Sequence, residues 1–386
     1  MKITSIRHAV APLRSEIRNA AIDFSQMTVS VVAVESDTIR DGRPVVGYGF
    51  HSNGRYAQPG ILDTRIVPRL MAARSEDYTD PTGRLDPLRA WDIVMTGEKP
   101  GGHGDRSVAV GTVDMALWDL ASKLEEKPLF QLLRERFATG TSGNEVYVYA
   151  AGGYYYPGKD IEQLREEMRG YLAMGYDTVK LKIGGAALEE DVRRVDAVVE
   201  EVGKTGCVAV DANGRFDLSR GLAYIEALDG YGLKWLEELG DPLDYALNQA
   251  FCERAESPIA TGENLFSMQD ARNLLRYGGM RPDRDFLQMD PVLSYGLPEY
   301  LRMLSALKQA GWPQSRCMPH GGHQFALHIA CAFGLGGNES YPRVFEPFGG
   351  FGDDLAIEHG RIRVPDVPGV GFELKRDLME VFNRIQ

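Results

Sequence analysis

The sequence predicts an α/β protein built on an eight-stranded β/α barrel that follows a smaller α+β domain. Beyond residue 145, short apolar strands alternate with helical stretches at a repeat of about 25–30 residues, as in a β/α barrel. Before that point, three strand-like runs are followed by helices, the order typical of an α+β domain. A doubly wound open sheet is the alternative, but no GxGxxG follows an early strand.

The first domain is expected to contain a small sheet and several helices. The strand-like runs are Lys2–Val10, Thr28–Val34 and Val45–Phe50, and the last is followed by a Gly- and Asn-containing loop at 51–60. Apolar residues at helical spacing predict a long helix over Ser107–Leu124. The other predicted helices lie at about 60–73, at about 86–95 and at Lys127–Arg136.

The barrel is expected to take its strands from eight short apolar runs. They are Val146–Ala150, Thr178–Ile183, Cys207–Asp211, Lys234–Glu237, Pro258–Gly262, Asp285–Met289, Arg316–Met318 and Arg343–Glu346. Helices are predicted between them, for instance at Ile161–Met174, Glu189–Val202, Leu218–Leu228 and Met268–Tyr277. The turn-rich remainder is expected to return to the first domain. The predicted division is therefore 1–140, 141–345 and 346–386.

Composition and charge exclude several classes of protein. A chain of 386 residues is too long for one ordinary core. The net charge of −12 argues against a nucleic-acid partner, and no apolar run is long enough to span a membrane. Four cysteines without a CxxC, and an N-terminus without the apolar core of a signal peptide, predict a reduced, cytoplasmic protein.

The stretch TVKLKIGG at 178–185 carries two lysines on one face of a short strand. Side chains alternate along a strand, so Lys180 and Lys182 point the same way and Leu181 points the other way. An exposed strand with two solvated lysines is one interpretation. In a barrel mouth, burial and a like charge would instead lower the pKa of a lysine, and a neutral lysine can accept a proton.

Three carboxylates come at the ends of successive predicted strands. Asp211, Glu237 and Glu263 are separated by 26 residues each, and the carboxyl ends of barrel strands meet at one mouth. Three carboxylates held close together need a cation, and oxygen ligands on a rigid frame suit Mg²⁺. Unrelated surface acids are the alternative. Glu238 is the rival ligand on the fourth strand, and we expect it to point away from the barrel axis.

A histidine and an aspartate follow the next two strands. Asp290 precedes a proline after the sixth strand, and His320 follows the seventh. A carboxylate that accepts from one ring nitrogen fixes the tautomer of the histidine and raises its basicity. His323 completes an HxxH motif, but we expect it to pack in the following helix. The site would thus hold a metal between a lysine base and a His–Asp pair, which suits removal of a proton α to a carboxylate.

The KxK pair, the DAN motif at 211–213, the glutamate spacing and the His–Asp pair resemble the enolase superfamily in its mandelate racemase branch. VGTVDMALWDLASK is similar to a helix of that family's capping domain. The resemblance covers nearly the whole chain. It implies a modified TIM-type (β/α)7β barrel with an α+β capping domain built from the N-terminal part and the C-terminal tail, and it implies a homo-oligomer.

Further runs resemble the D-tartrate dehydratases within that branch. They include IRNAAIDF, VVGYGFHSNGRY, EKPGGHGDRSVAVGT, YAAGGYYYPG, ATGENLF and MPHGGHQ. This resemblance implies a Mg²⁺-dependent hydro-lyase that converts D-tartrate to oxaloacetate. Its metal ligands would be Asp211, Glu237 and Glu263. Lys182 would remove the C2 proton with Lys180 beside it, and His320, held by Asp290, would protonate the leaving C3 hydroxyl.

The same resemblance places Asn53 and Lys99 near the substrate, a small hydroxy acid, although ordinary loop polarity would also explain both residues. One tyrosine of the run 154–156 would reach the substrate. Glu346 ends the eighth predicted strand and is left outside the catalytic set. The alternatives are another acid-sugar dehydratase, a racemase or epimerase of the same superfamily, or a catalytically inactive binding protein on this fold.

Overall fold

The first part of the chain forms a three-stranded antiparallel sheet covered by helices. The computed structural model describes residues 1–13 and 15–385. The strands β1 (Ile3–Pro12), β2 (Thr28–Arg40) and β3 (Arg43–Phe50) pair in the order β1–β2–β3. The helices are α1 (Pro59–Ile61), α2 (Val67–Ala72), α3 (Ser75–Tyr78), α4 (Pro87–Val94), α5 (Asp105–Leu124) and α6 (Leu129–Phe137), with a π-helix at Leu62–Ile66 and a 3-10 turn at Phe24–Gln26.

Helix α5 packs directly on β3 because two glycines allow its backbone to approach. A Cβ at Gly47 would lie 2.2 Å from the carbonyl oxygen of Ala116, and one at Gly49 would lie 2.3 Å from that of Thr112. Both distances are far below van der Waals contact, so a larger residue at either position would push the helix off the sheet. The buried side chains of α5 then join the core of this sheet.

The second part forms parallel strands that alternate with helices. The strands are β4 (Glu145–Ala151), β5 (Val179–Lys182), β6 (Val208–Asp211), β7 (Leu236–Glu237), β8 (Ile259–Thr261), β9 (Phe286–Leu287) and β10 (Asn338–Ser340). The helices are α7 (Ile161–Ala173), α8 (Leu188–Val202), α9 (Leu218–Leu228), α10 (Tyr245–Arg254), α11 (Met268–Tyr277), α12 (Leu297–Gln309) and α13 (Gln324–Phe333), with a 3-10 turn at Gln314–Arg316. Strands β4 to β9 pair in chain order, and β10 pairs with β4.

The seventh barrel position is a short extended segment. Cys317 forms a parallel bridge with Leu287, and the Met318 amide donates to the Leu287 carbonyl at 2.9 Å. On the other side, the Glu339 amide donates to the Pro319 carbonyl at 3.3 Å. These contacts link β9 to β10 and complete the ring, so the predicted combination of barrel and α+β domain is confirmed. The predicted seventh strand at Arg316–Met318 is nevertheless only a bridge, and Arg316 belongs to the 3-10 turn.

The predicted eighth strand is wrong. The structure places this strand at Asn338–Ser340 rather than at Arg343–Glu346, where Arg343 and Phe345 have positive φ values of 62° and 58°. A left-handed backbone at both positions is incompatible with a strand. The real strand, NES, carries no apolar residue and lies between two glycines and a tyrosine–proline pair, so its composition resembles a loop.

The C-terminal segment contacts the first domain. It contains β11 (Ile357–Glu358) and β12 (Arg361–Arg363), which is antiparallel to β4, then a 3-10 turn at Phe372–Leu374 and α14 (Arg376–Asn383). The ring of Phe382 stacks on Tyr48 with centroids 4.6 Å apart. The division of the chain at residues 140 and 345 stays a prediction. The described part of the chain contains no helix that combines the length and the hydropathy needed to span a bilayer.

Candidate active site

The site is built on an apolar layer inside the barrel. Six buried side chains form this layer: Tyr149, Ala209, Trp235, Ala260, Phe286 and Met318. Because alternate residues of a strand face the same way, the inward-facing positions two residues later lie one level higher. Those positions include Asp211 after Ala209, Glu237 after Trp235 and His320 after Met318. The layer therefore supports the polar side chains from below, and the indole of Trp235 donates to Glu237 Oε2 at 2.7 Å.

The three predicted metal ligands lie together. One carboxylate oxygen from each of Asp211, Glu237 and Glu263 lies within 4.8 Å of the others, and the first two residues are almost fully buried. Burial raises the pKa of the Glu237 carboxyl, against the opposing effect of Lys180, and Asp211, Glu339 and Glu263 raise it further. Such a set of hard oxygen donors fits a divalent cation.

The two lysines contact these carboxylates. Lys180 Nζ lies 2.5 Å from Glu237 Oε1 and 3.5 Å from Asp211 Oδ2, and Lys182 donates to Asp211 Oδ2. Burial alone would lower the pKa of Lys182, but the charge of Asp211 outweighs it and raises that pKa. The pKa of Lys180 is raised in the same way by Glu237 and Glu339. The two predicted effects do act on Lys182, since burial and the charge of Lys180 both lower its pKa. The predicted net lowering is nevertheless wrong for this arrangement, because each ammonium group contacts a buried carboxylate.

His320 and Asp290 form the predicted pair. His320 Nδ1 lies 2.8 Å from Asp290 Oδ2, and both side chains are buried. The other ring nitrogen, Nε2, lies 3.5 Å from Glu263 Oε2 and therefore faces the acidic cluster. Burial opposes protonation, but Glu263 and Glu339, helped by Asp290, raise the pKa of His320 to about 10. These neighbouring charges favour the protonated imidazole, which has a proton to donate.

The sequence analysis did not identify two residues of the site, Glu339 and Tyr341. Glu339 lies on β10, with Oε1 2.7 Å from Lys180 Nζ. The hydroxyl of Tyr341 donates to Glu339 Oε2 at 2.8 Å and lies 3.0 Å from His320 Nε2. The acid expected near this strand was Glu346, which instead lies 3.1 Å from Lys375 with a half-exposed side chain. In the sequence, Glu339 is marked only by its position in a short polar run between two glycines and a Tyr–Pro pair.

Glu238, which was expected to point away from the barrel axis, lies close to the three predicted metal ligands. Its side chain is buried, and burial together with the charges of Glu263 and Asp211 raises the pKa of its carboxyl well above the usual value. Both of its oxygens accept from Asn264 Nδ2 at 2.9 Å. A positive φ of 40° at Glu238 turns the chain after β7, so this side chain lies beside the cluster. It remains a neighbour of the three ligands rather than a surface acid.

The tyrosine run resolves into three different environments. The Tyr154 ring is buried and its centroid lies 4.9 Å from Lys182 Nζ. Tyr155 donates to Asp191 Oδ1 at 2.6 Å, and Tyr156 is exposed and contacts Lys159. Tyr154 is therefore the member of the run that borders the site.

The two predicted substrate contacts occupy different positions. Asn53 is half-buried, and its Oδ1 is buried without a hydrogen-bond partner in the described part of the chain. Lys99 is exposed and lines a cavity of about 1180 Å³, whose wall also contains Arg55 and Asn264. Asn264 links this cavity to the acidic cluster through its bonds to Glu238. His323, as expected, packs at the start of a helix and caps α13.

The fold and this carboxylate cluster define a β/α-barrel protein whose site fits a divalent metal. A family model described as "Enolase C-terminal domain-like" matches residues 163–378. The chain is also 31% identical over 375 residues to an arabinonate dehydratase of Saccharolobus solfataricus, a match that covers 93% of this chain and 92% of the relative. The chain belongs to the enolase superfamily.

Two further similarities describe the range of relatives. The chain is 29% identical over 375 residues to a 3,6-anhydro-alpha-L-galactonate cycloisomerase of Streptomyces coelicolor, covering 94% of this chain and 92% of the relative. It matches the crystal structure of an L-talarate dehydratase from Polaromonas sp. JS666 complexed with Mg and L-glucarate, with a TM-score of 0.76 and 25% identity over 96% of this chain and 94% of the other. The relatives thus include acid-sugar dehydratases and a cycloisomerase.

Proposed function

We propose that this protein is a Mg²⁺-dependent dehydratase that converts D-tartrate to oxaloacetate. The observation that carries the proposal is the placement of Lys182 and the His320–Asp290 pair around one carboxylate cluster. Lys182 contacts Asp211, and His320 Nε2 faces Glu263. Their strands, β5 and the segment at 317–319, are separated by at least two strands in either direction around the barrel. A substrate at the cluster would have the base on one side and the acid on the other.

Asp211, Glu237 and Glu263 would hold the metal. When bound, Mg²⁺ would supply Lewis-acid stabilisation of the charge that develops on the substrate carboxylate, and it would take up the negative charge that now holds protons on the lysines. Lys180, buried between Glu237 and Glu339, would offset part of their negative charge, and its own positive charge lowers the pKa of Lys182, which favours the neutral amine that can act as a base.

Lys182 would take the proton from C2 of the substrate, and the electron pair of that C–H bond would pass into an enediolate. As the electrons return to form the C2–C3 double bond, the C3–O bond breaks. Hydroxide is a poor leaving group, so His320 would donate its Nε2 proton and the group would leave as water. The resulting enol would ketonise to oxaloacetate. Asp290 would orient the ring through Nδ1 throughout.

The choice of tartrate rests on the loops that border the site and on charge. Tartrate carries two carboxylates, and the one distant from the metal needs a cation. Lys99 lies on the wall of the adjoining cavity and suits that role, with Asn53 on the neighbouring loop. A second candidate function is dehydration of a larger acid sugar. The relatives include an arabinonate dehydratase, and the cavity beside Asn264 offers room next to the cluster for a longer chain.

The deciding experiment is a screen of tartrate stereoisomers and of five- and six-carbon acid sugars with Mg²⁺, with detection of α-keto acids. We expect D-tartrate to give oxaloacetate with the highest kcat/KM. If the protein turned over a five- or six-carbon acid and no tartrate isomer, the proposed substrate would be that larger acid. Interconversion of stereoisomers without keto acid would identify a racemase or epimerase.

We further propose that the protein is a cytoplasmic homo-oligomer. All four cysteines are free and buried, as suits a reducing compartment. Light scattering of the purified protein would measure its mass in solution, and a mass of 42.8 kDa would contradict the oligomer.

A further inference from the structure

The loop at 51–58, which follows β3, is attached to the barrel at two side chains. Ser52 Oγ lies 3.0 Å from His323 Nε2, and both residues are almost fully buried. Arg55 donates through Nη2 to Asn264 Oδ1, and its guanidinium lies 5.0 Å from the centroid of the Phe266 ring. Each barrel partner lies close in the chain to a residue of the proposed mechanism, since His323 follows His320 and Asn264 follows Glu263.

The Ser52 contact reaches the surroundings of the His–Asp pair. His323 Nδ1 accepts from the Ala326 amide at 3.3 Å, so Nε2 carries the hydrogen and donates it to Ser52. A Cβ at Gly321 would lie 2.9 Å from Ser52 Oγ, 2.7 Å from His323 Nε2 and 2.9 Å from Asp290 Oδ2. Three segments therefore converge on one glycine beside His320, and Ser52 is the contribution of the first domain.

The Arg55 contact reaches the carboxylate cluster through one amide. Asn264 Nδ2 donates to both oxygens of Glu238 at 2.9 Å and lies 3.5 Å from Glu263 Oε1, while its Oδ1 accepts from Arg55. The reverse orientation of the amide would place its NH₂ group against the guanidinium and its oxygen against a carboxylate. The orientation of the Asn264 amide therefore couples the position of Arg55 to that of Glu238.

We propose that Ser52 and Arg55 are positioning residues that form a two-point clamp and hold the loop at 51–58 against the catalytic ends of the barrel. Asn53 lies between the two attachment points, so the clamp determines where its Oδ1, which has no hydrogen-bond partner among the described residues, is presented. The kinetic part of the test rests on the proposed dehydratase function, and the structural part does not.

Hydrogen exchange measured by mass spectrometry tests the clamp directly. Ser52→Ala and Arg55→Gln should each speed exchange in peptides covering 51–58, because each removes one attachment. Two matched controls alter comparable bonds elsewhere in the first domain. Ser36→Ala removes a buried hydroxyl that donates to the Val45 carbonyl at 3.0 Å, and Arg40→Gln removes donors to the carbonyls of Lys123 and Leu124. Wild-type exchange at 51–58 in both clamp variants would overturn the proposal.

Kinetics with the acid that the wild type dehydrates, at saturating Mg²⁺, supplies the second arm. Each clamp variant should lose roughly ten- to a hundredfold in kcat/KM through misplacement of the loop. Ser52→Thr and Arg55→Lys should recover part of the loss.

The kcat/KM of the double variant should be no lower than that of the less active single variant, because either substitution releases the same loop. Fully additive losses would mean two independent residues and no clamp. If the wild type dehydrates no acid, the proposed function fails, and hydrogen exchange still decides whether the clamp exists.

Discussion

Lys180 and Glu339 form a buried ion pair in which Nζ lies 2.7 Å from Oε1. The pair joins β5 to β10, two strands that both neighbour β4. Glu339 also accepts from Tyr341, whose hydroxyl lies 3.0 Å from His320 Nε2. One carboxylate thereby connects the lysine side of the site to the histidine side, and it does so from a strand that composition alone assigns to a loop.

Replacing this carboxylate by an amide should damage both stability and turnover. In Glu339→Gln the NH₂ group must face Lys180 or Tyr341, both donors, which leaves a buried donor unsatisfied at a cost of about 1–3 kcal/mol. Urea unfolding and steady-state kinetics measure the two effects. Glu346→Gln is the control, since Glu346 is half-exposed on the surface. An equal loss of activity in Glu339→Gln and Glu346→Gln would contradict the assignment of Glu339 as the acid of the site.

Activity should require a divalent metal. Removal of metal with EDTA should abolish turnover and Mg²⁺ should restore it, because Asp211, Glu237 and Glu263 converge within 4.8 Å. The metal-free protein should also melt at a lower temperature, since a ligand that binds only the folded state stabilises it. Full activity of protein shown by elemental analysis to be metal-free would contradict the proposed metal site.

The two halves of the chemistry should separate by mutation. His320→Asn should stop oxaloacetate formation but still allow slow exchange of the C2 hydrogen of tartrate in D₂O, because Lys182 would remain to remove and return it. Lys182→Ala should lose both reactions. NMR of recovered substrate follows exchange, and a coupled assay follows product. Exchange that survives in Lys182→Ala and vanishes in His320→Asn would reverse the assignment of base and acid.

Lys99→Met should weaken turnover of tartrate without affecting folding. Lys99 is exposed, so the variant should melt as the wild type does, while loss of one charged hydrogen bond to the distal carboxylate should lower kcat/KM by roughly ten- to a hundredfold. Lys127→Met is the control, because it removes an ammonium that pairs with Glu135 away from the cavity. Equal kcat/KM values in Lys99→Met and the wild type would show that another group holds that carboxylate.

Stability should fall with acid partly through His328, which lies outside the site. Its Nδ1 accepts from the Phe130 amide and its Nε2 donates to the Val370 carbonyl, both at 3.1 Å. Burial lowers the pKa of His328 to about 3. Between pH 6.5 and 3 the unfolded chain therefore binds a proton that the folded protein does not, and the contribution present above pH 6.5 is lost as the pH falls.

His328→Gln should accordingly show a weaker pH dependence of unfolding, because the variant has no buried imidazole to protonate at this position. The difference in slope should approach about 1.4 kcal/mol per pH unit between pH 6 and 4. Urea unfolding at a series of pH values gives both slopes. Parallel pH profiles for the variant and the wild type would exclude His328 as a source of acid sensitivity.

The sequence predicted the barrel and the acidic cluster because both depend on local patterns. Asp211 and Glu237 each end an apolar strand, and strand periodicity alone places them above a buried layer. Helices α9 and α11 begin and end at the predicted residues, and Asp217 and Ser267 cap their N-terminal ends. The bridge at Cys317 depends on its pairing with Leu287 rather than on the strand propensity of its own residues. The strand predicted at Arg316–Met318 was therefore too long.

What escaped prediction depends on contacts between distant segments. Glu339 lies on a strand of three polar residues, which pairing with β4 stabilises. The raised lysine pKa values follow from distances to carboxylates on other strands, and spacing along the chain does not give those distances. Arg55 and Asn264 are 209 residues apart, so no local sequence pattern predicts their hydrogen bond.

The aromatic stack between Phe382 and Tyr48 has a consequence for biosynthesis. Val370 donates to Asp119, and Lys123 lies 2.6 Å from Glu373, so the core of the first sheet includes side chains from close to residue 380. A ribosome delivers these side chains only after the whole barrel has been translated. The nascent N-terminal sheet therefore lacks part of its core until about 330 further residues have been translated, and its uncovered apolar surface is prone to aggregate during that interval.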